Sequence, residues 1–178
     1  MLTRFILRFF PVGTGLIFVL LLLGGCKKDT VPAIDTAALE AQKKTDDDLI
    51  KAYIAAQNLA ATRTASGLYY VVETAAPAGA PLAVNGKTVT LHYRGHLLNG
   101  TADGSQFDSS YTRGIPFSFT VGAGEVIAGW DEGVQLMRKG EKGRLIIPSY
   151  LGYGPRGSVP KIPGNAVLIF YMSLENVQ

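Results

Sequence analysis

Apolar positions recur along this chain at two different spacings, and the change of spacing divides it. Leu49, Ile50, Tyr53 and Ile54, with Gln57 in phase, return every three or four residues, the period of one helix face. Thr45 stands before the run as an N-cap, with Asp48 in the capping-box position. Asp46, Asp47 and Asp48 suit the positive end of a helix dipole. The pattern predicts a helix from about 46 to 61 inside an N-terminal helical segment, 45–62, and reads the Asp run as its solvated start. After Gly67 the period becomes that of strands. Residues 68–72 form one. Val89, Leu91 and Tyr93 alternate with Thr90, His92 and Arg94 in a second, and Phe117 and Phe119 with Ser118 and Thr120 in a third. Residues 145–147 and 167–174 add two more. Asn85-Gly86 marks a tight turn, and residues 75–82 and 152–164 are loops rich in Gly and Pro. One short helical stretch, 127–136, interrupts the strands. The predicted class is α+β, with the folded domain over 66–178 and its N-terminal helix before it.

The first 25 residues follow a different rule. Arg4 and Arg8 precede an apolar core, 16–23, and Gly24, Gly25 and Cys26 follow at once. This is the layout of a signal peptide over 1–25, too short and wrongly flanked for a membrane span. The alternative, an uncleaved anchor helix over 5–23, is interrupted by Pro11, Gly13 and Gly15. Leu23-Gly24-Gly25-Cys26 resembles the lipobox of bacterial lipoproteins, which implies that Cys26 becomes the mature N-terminus and carries acyl chains. Each buried CH₂ of such a chain contributes about 0.8 kcal/mol to membrane attachment. Cys26 is the sole cysteine, so no intramolecular disulfide forms, and a lone thiol in an oxidising space is a liability unless modified. Polar, Ala-rich residues 26–44 are expected to be a flexible tether. Lys27-Lys28-Asp29 after the Cys resembles some Gram-negative envelope lipoproteins, which implies an anchor at the outer membrane.

An apolar share of 47% with 17% charged residues fits a globular chain with a sizeable core. Without Arg4 and Arg8 the chain holds 15 basic and 14 acidic side chains, so it is close to neutral. No basic stripe interleaved with aromatics occurs, and nucleic acid is excluded as a partner. Nucleophile-elbow, Walker, CxxC and HExxH motifs are all missing. Gly122-Ala123-Gly124-Glu125-Val126-Ile127 begins like a dinucleotide loop but lacks the third Gly. Asn99, Asp103 and Asp108 make an acidic loop without the Ca²⁺-loop pattern. His92 and His96 share a strand face without a third ligand, so no metal and no cofactor is expected. What remains is an aromatic and aliphatic set near element ends: Tyr93, Phe107, Phe117, Phe119, Val126, Ile127, Trp130 and Tyr153. Composition leaves open whether that set is core or binding site.

Order narrows it. Leu91-His92-Tyr93-Arg94-Gly95 is followed by Gln106-Phe107-Asp108-Ser109-Ser110 and Pro116-Phe117-Ser118-Phe119. Gly124-Glu125-Val126-Ile127-Ala128-Gly129-Trp130-Asp131 comes next, then Tyr150-Leu151-Gly152-Tyr153-Gly154 and Ile162-Pro163-Gly164-Asn165-Ala166. Over about 66–177 this series resembles the FK506-binding-protein family of prolyl isomerases. The resemblance implies a twisted antiparallel sheet of five or six strands half-wrapped around one short helix. It implies catalytic roles for Tyr93, Asp108, Tyr153 and Ile127. Phe107, Phe117, Val126, Trp130 and Phe170 would bind substrate, with Trp130 the floor and Arg113 paired to Asp108. It further implies proline-containing polypeptides as substrates, FK506-like macrolides as ligands, and no metal or covalent step. We expect a monomer. The competing readings are a lipid-anchored binding module or chaperone with this fold and little isomerase activity, and a structural envelope lipoprotein that assembles through its helix.

Overall fold

The computed structural model of the chain describes residues 36–178. The signal peptide, Cys26 and the first part of the expected tether lie outside the described residues. The described part opens with a helix, α1 (Thr36–Ala56), which starts well before the cap expected at Thr45. The Thr45 hydroxyl instead donates to the Ala41 carbonyl at 3.0 Å, a bond made inside a helix. Residues 36–44, expected within the tether, are rich in Ala, Leu, Glu, Gln and Lys, all good helix formers, and they continue the helix. The Asp run is therefore central in α1, not a solvated start. Asp46 is wholly buried. Asp47 holds Lys51, Arg63 and the Tyr69 hydroxyl, and only Asp48 is exposed, beside Lys44.

Seven strands follow: β1 (Ala61–Arg63), β2 (Tyr69–Thr74), β3 (Thr88–Asn99), β4 (Ala102–Ser109), β5 (Phe117–Thr120), β6 (Lys142–Ile147) and β7 (Leu168–Val177). They lie in the order β1-β2-β6-β7-β3-β4, with β5 also paired to β3, and every pairing is antiparallel. The sequence pattern predicts five of these strands, and the family resemblance implies five or six. The strands the pattern misses are β1, three residues at the sheet edge, and β4, read as part of an acidic loop. Residues 102–106 of β4 carry no alternating apolar face. Backbone pairing to β3 holds β4, and Asp103 accepts the hydroxyls of Tyr53 at 2.7 Å and Tyr171 at 2.5 Å.

Alternation along the long strands sorts side chains to two faces. Leu91 and Tyr93 of β3, Leu145 and Ile147 of β6, and Leu168 and Phe170 of β7 share one core with Trp130 and Met137. That core lies under the short helix α3 (Ala128–Gly133), which a 3₁₀ turn (Val134–Leu136) continues. Close helix–sheet contact requires a bare backbone here: a Cβ on Gly133 would stand 2.4 Å from a Leu145 methyl. Ile146 and Ile169 face the other way and meet Ile50 and Tyr53 of α1, with Tyr69 and Val167. The apolar stripe of α1 thus packs on the sheet, and the described residues, 36–178, form one compact unit.

Ile50 is fully buried in this second core, whereas Leu49 is 41% exposed. Ile50→Ala is expected to destabilise the whole domain by about 2–5 kcal/mol, the range for buried Ile→Ala, and Leu49→Ala by about 0.5 kcal/mol or less. Denaturant unfolding followed by Trp130 fluorescence reads both. A domain transition unmoved by Ile50→Ala would mean that α1 contributes nothing to the fold.

Candidate active site

β5 brings Phe117 and β7 brings Phe170 to one cavity of about 410 Å³, and four further parts of the chain complete it. The first is β3, which carries Tyr93. A few residues on, the register between β3 and β4 pairs Gly95 with Asp108 and His96 with Gln106. Phe107 is left between them, and a bulge of this kind re-aims a side chain. Phe107 packs edge-on to Phe170 with ring centres 5.5 Å apart. Gly95 makes room for the pair, because a Cβ there would stand 2.7–2.8 Å from both rings.

The second segment is the turn after β4. Ser109 caps a one-turn helix, α2 (Ser110–Arg113), through the Thr112 N–H. That turn brings Arg113 back to Asp108, where the two form an ion pair. Arg113 also donates to the Tyr93 hydroxyl at 2.8 Å, and the Tyr93 hydroxyl donates to Asp108. The Ser110 hydroxyl accepts the Tyr93 backbone N–H at 2.8 Å. Burial pushes the Asp108 carboxyl up, but the Tyr93 hydroxyl, the Ser109 N–H and Arg113 outweigh it and leave Asp108 below the usual carboxylate range. Burial, then the bond to Asp108, raises Tyr93, which stays protonated as a donor.

The third segment is the approach to α3. Asp131 in its first turn accepts the N–H groups of Gly122 at 2.8 Å and Gly124 at 3.0 Å. This folds the preceding loop onto the helix and brings Val126 and Ile127 to the cavity wall. The Ile127 carbonyl accepts from Trp130 and Asp131, while its own N–H has no partner among the described residues. Trp130 forms the floor. Its ring meets Tyr93 at 4.8 Å, Phe117 at 5.8 Å and Phe170 at 5.0 Å, each edge to face. Its indole N–H is buried without an acceptor among the described residues.

The fourth segment follows β6. A 3₁₀ turn (Ser149–Leu151) leads through Gly152 to Tyr153, which is 39% exposed at the mouth. Its hydroxyl has no protein partner among the described residues, and burial pushes it up, so it stays a donor. Tyr153, Phe107 and Asp108 also border an adjoining groove formed by residues 158–162.

All nine residues expected at the site line the cavity: Tyr93, Phe107, Asp108, Phe117, Val126, Ile127, Trp130, Tyr153 and Phe170. The sequence reading missed Glu125 in the wall. It stands inside the motif that contains Val126 and Ile127, and that adjacency was the available signal. His92 and His96 serve separate contacts, His92 stacked on Tyr111 and bonded to Ser110, His96 edge-on to Tyr171.

The family model described as FKBP-type peptidyl-prolyl cis-trans isomerase matches residues 79–175. FK506-binding protein 2 of Emericella nidulans is 56% identical over 93 residues, covering 52% of this chain and 66% of that protein. The Homo sapiens peptidyl-prolyl cis-trans isomerase FKBP2 is 48% identical over 93 residues, 52% of this chain and 63% of that one. Among solved structures, FkpA from Escherichia coli matches with a TM-score of 0.60 at 33% identity, over 80% of this chain and 65% of that chain. The chain spans just under two thirds of the length of these relatives.

The Asp108 network predicts an acid-sensitive contribution to stability. A carboxylate whose folded pKa lies below its unfolded value of about 3.9 stabilises fully above that value and loses the effect as pH falls through the lower one. The pair with Arg113 is partly exposed, which keeps the contribution to about 0–1 kcal/mol. Asp108→Asn should therefore melt slightly below the unsubstituted chain at pH 7, with the gap closing below about pH 4. A gap equally wide at acid pH would show that the charge of Asp108 does not matter to the fold.

Proposed function

From the premise that the chain belongs to the FKBP-type peptidyl-prolyl cis-trans isomerase family, we propose that this cavity catalyses rotation about Xaa–Pro amide bonds. One observation carries the reading: beside an apolar cavity floored by Trp130 and ringed by aromatic edges, the Ile127 N–H and the Tyr153 hydroxyl are donors without partners among the described residues.

The chemistry follows from the amide. Rotation destroys resonance and meets a barrier of about 18–20 kcal/mol. The twisted amide is less polar than the planar one, so a pocket of rings that excludes water favours it over the ground state. That is selective binding of the transition state. The prolyl ring sits on Trp130. The Ile127 N–H and Tyr153 hydroxyl hold flanking carbonyls, so the peptide stays anchored while one amide turns. Asp108 and Tyr93, locked by Arg113, present a fixed polar edge beside the turning group. Protein residues orient and desolvate, and no bond to substrate forms. Natural substrates would be proline-containing polypeptides in the course of folding. The same pocket would accept FK506-like macrolides, the ligand that the names of its relatives carry.

The chain from residue 34 onward, which contains the whole compact unit, is expected to accelerate isomerisation of an apolar-Xaa-Pro peptide. Tyr153→Phe should lower kcat/KM about two- to tenfold, the worth of one hydrogen bond, without moving the melting temperature. A folded domain with the uncatalysed rate would favour the binding-module reading and overturn this one.

The lipobox around Cys26 extends the proposal to location: an acylated, exported isomerase in the cell envelope of a Gram-negative bacterium, at the outer membrane. Cys26→Ser should leave the isomerase domain folded and active while releasing it from the membrane fraction, or leave the precursor unprocessed. Unchanged membrane attachment and mature mass in that variant would contradict the anchor.

A further inference from the structure

Ahead of the family-matched segment, α1 buries a carboxylate that the proposed reaction does not use. Asp46 has no exposed surface and no Lys or Arg partner within ion-pair distance among the described residues. A buried carboxylate is costly unless hydrogen bonds satisfy it. One oxygen of Asp46 accepts Gln42 Nε2 at 2.7 Å, a turn earlier on the same helix. The other accepts both donors of one residue across the fold, the Ser149 N–H at 2.8 Å and the Ser149 hydroxyl at 2.7 Å. Charge-assisted bonds of this kind are roughly twice as strong as neutral ones.

Ser149 opens the 3₁₀ turn that leads to Tyr153. Its carbonyl accepts the Gly152 N–H at 3.0 Å, and Tyr153 is the next residue. α1 also reaches the following residue of the turn, with Lys43 Nζ 5.5 Å from the centre of the Tyr150 ring. The Tyr150 hydroxyl in turn donates to the Ser66 carbonyl at 2.9 Å. The tip of Tyr153 has no such hold, since its hydroxyl is unpartnered among the described residues. Its position is inherited from the backbone before it and from the Asn165 N–H, which bonds the Gly154 carbonyl at 2.8 Å behind it.

We propose that Asp46 is a positioning residue for the isomerase site: acting through Ser149, it sets where Tyr153 presents its hydroxyl, so that α1 belongs to the catalytic unit. The inference rests on the reading above in which Tyr153 holds a substrate carbonyl. Misplacement by about 1 Å is enough to degrade a site of this kind.

The test is a double-substitution cycle in the full chain, solubilised in detergent: the unsubstituted protein, Asp46→Ala, Tyr153→Phe and both together, assayed for kcat/KM on an apolar-Xaa-Pro peptide, with a thermal melt for each. Asp46→Ala is expected to lower kcat/KM about three- to tenfold while the melt stays cooperative. In the Tyr153→Phe background the same substitution should cost less than about twofold, because no hydroxyl remains to be placed. Ser149→Ala, which keeps the backbone bond, should show the same coupling at smaller size and decides the matter if Asp46→Ala does not fold. Equal losses in both backgrounds, or a lowered melting temperature with unchanged kcat/KM, overturn the positioning role and leave the isomerase reading standing. An inactive but folded unsubstituted chain overturns the isomerase reading itself.

Discussion

Edge-to-face contacts of Trp130 with Tyr93, Phe117 and Phe170 tie one turn of helix to three strands at once. Tyr93 comes from β3, Phe117 from β5 and Phe170 from β7. Six helical residues do not hold a helix in water without tertiary support, so α3 exists because Trp130 is buried among these rings and Gly133 lets it sit down on Leu145. Each such ring pair contributes about 0.5–1.5 kcal/mol beyond the area it buries. The rings that hold α3 in place are also the walls of the cavity. Core and site are therefore one structure, and the cavity is the part of the core that the sheet leaves open.

Polar groups around that opening fall into two sets. Asp108, Arg113 and the Tyr93 hydroxyl satisfy one another and form a rigid edge. The Ile127 N–H and the Tyr153 hydroxyl are satisfied by nothing in the described protein. Donors left open beside an apolar cavity have their strongest effect on a ligand that brings carbonyls, since little water competes for them there. In the proposed reaction, a planar amide entering this site would trade hydration for rings and gain most when it twists. This division of labour needs no titrating group, and the raised Tyr93 and Tyr153 hydroxyls keep their protons through the neutral range.

Much of this was legible in the sequence because period-2 alternation and aromatic position report directly on faces and element ends. Spacing alone put Tyr93 on the apolar face of one strand and Phe117 with Phe119 on that of another, and the family resemblance carried by the order of the motifs supplied the rest of the cavity wall. What escaped was held by contacts that leave no local trace. β4 has no apolar alternation over residues 102–106 and exists through pairing to β3 and the Asp103 bonds to Tyr53 and Tyr171. Three consecutive Asp residues look alike in sequence, yet one is exposed, one is an ion-pair hub and Asp46 is buried on Ser149, over a hundred positions away. The helix start failed for a related reason. Thr45 and Asp48 fit a capping box, and the helix formers before them decided the matter.

The cavity is proposed to accelerate prolyl rotation by preferring the twisted amide, with no proton moved in the slow step. The direct measurement is kcat/KM for an apolar-Xaa-Pro peptide in H₂O and in D₂O at matched acidity. Selective binding of a less polar transition state predicts catalysis well above the uncatalysed rate with a solvent isotope ratio of about 1. Catalysis with a ratio above about 2 would mean that a proton is in flight at the barrier, as in general acid–base chemistry, and would contradict the account.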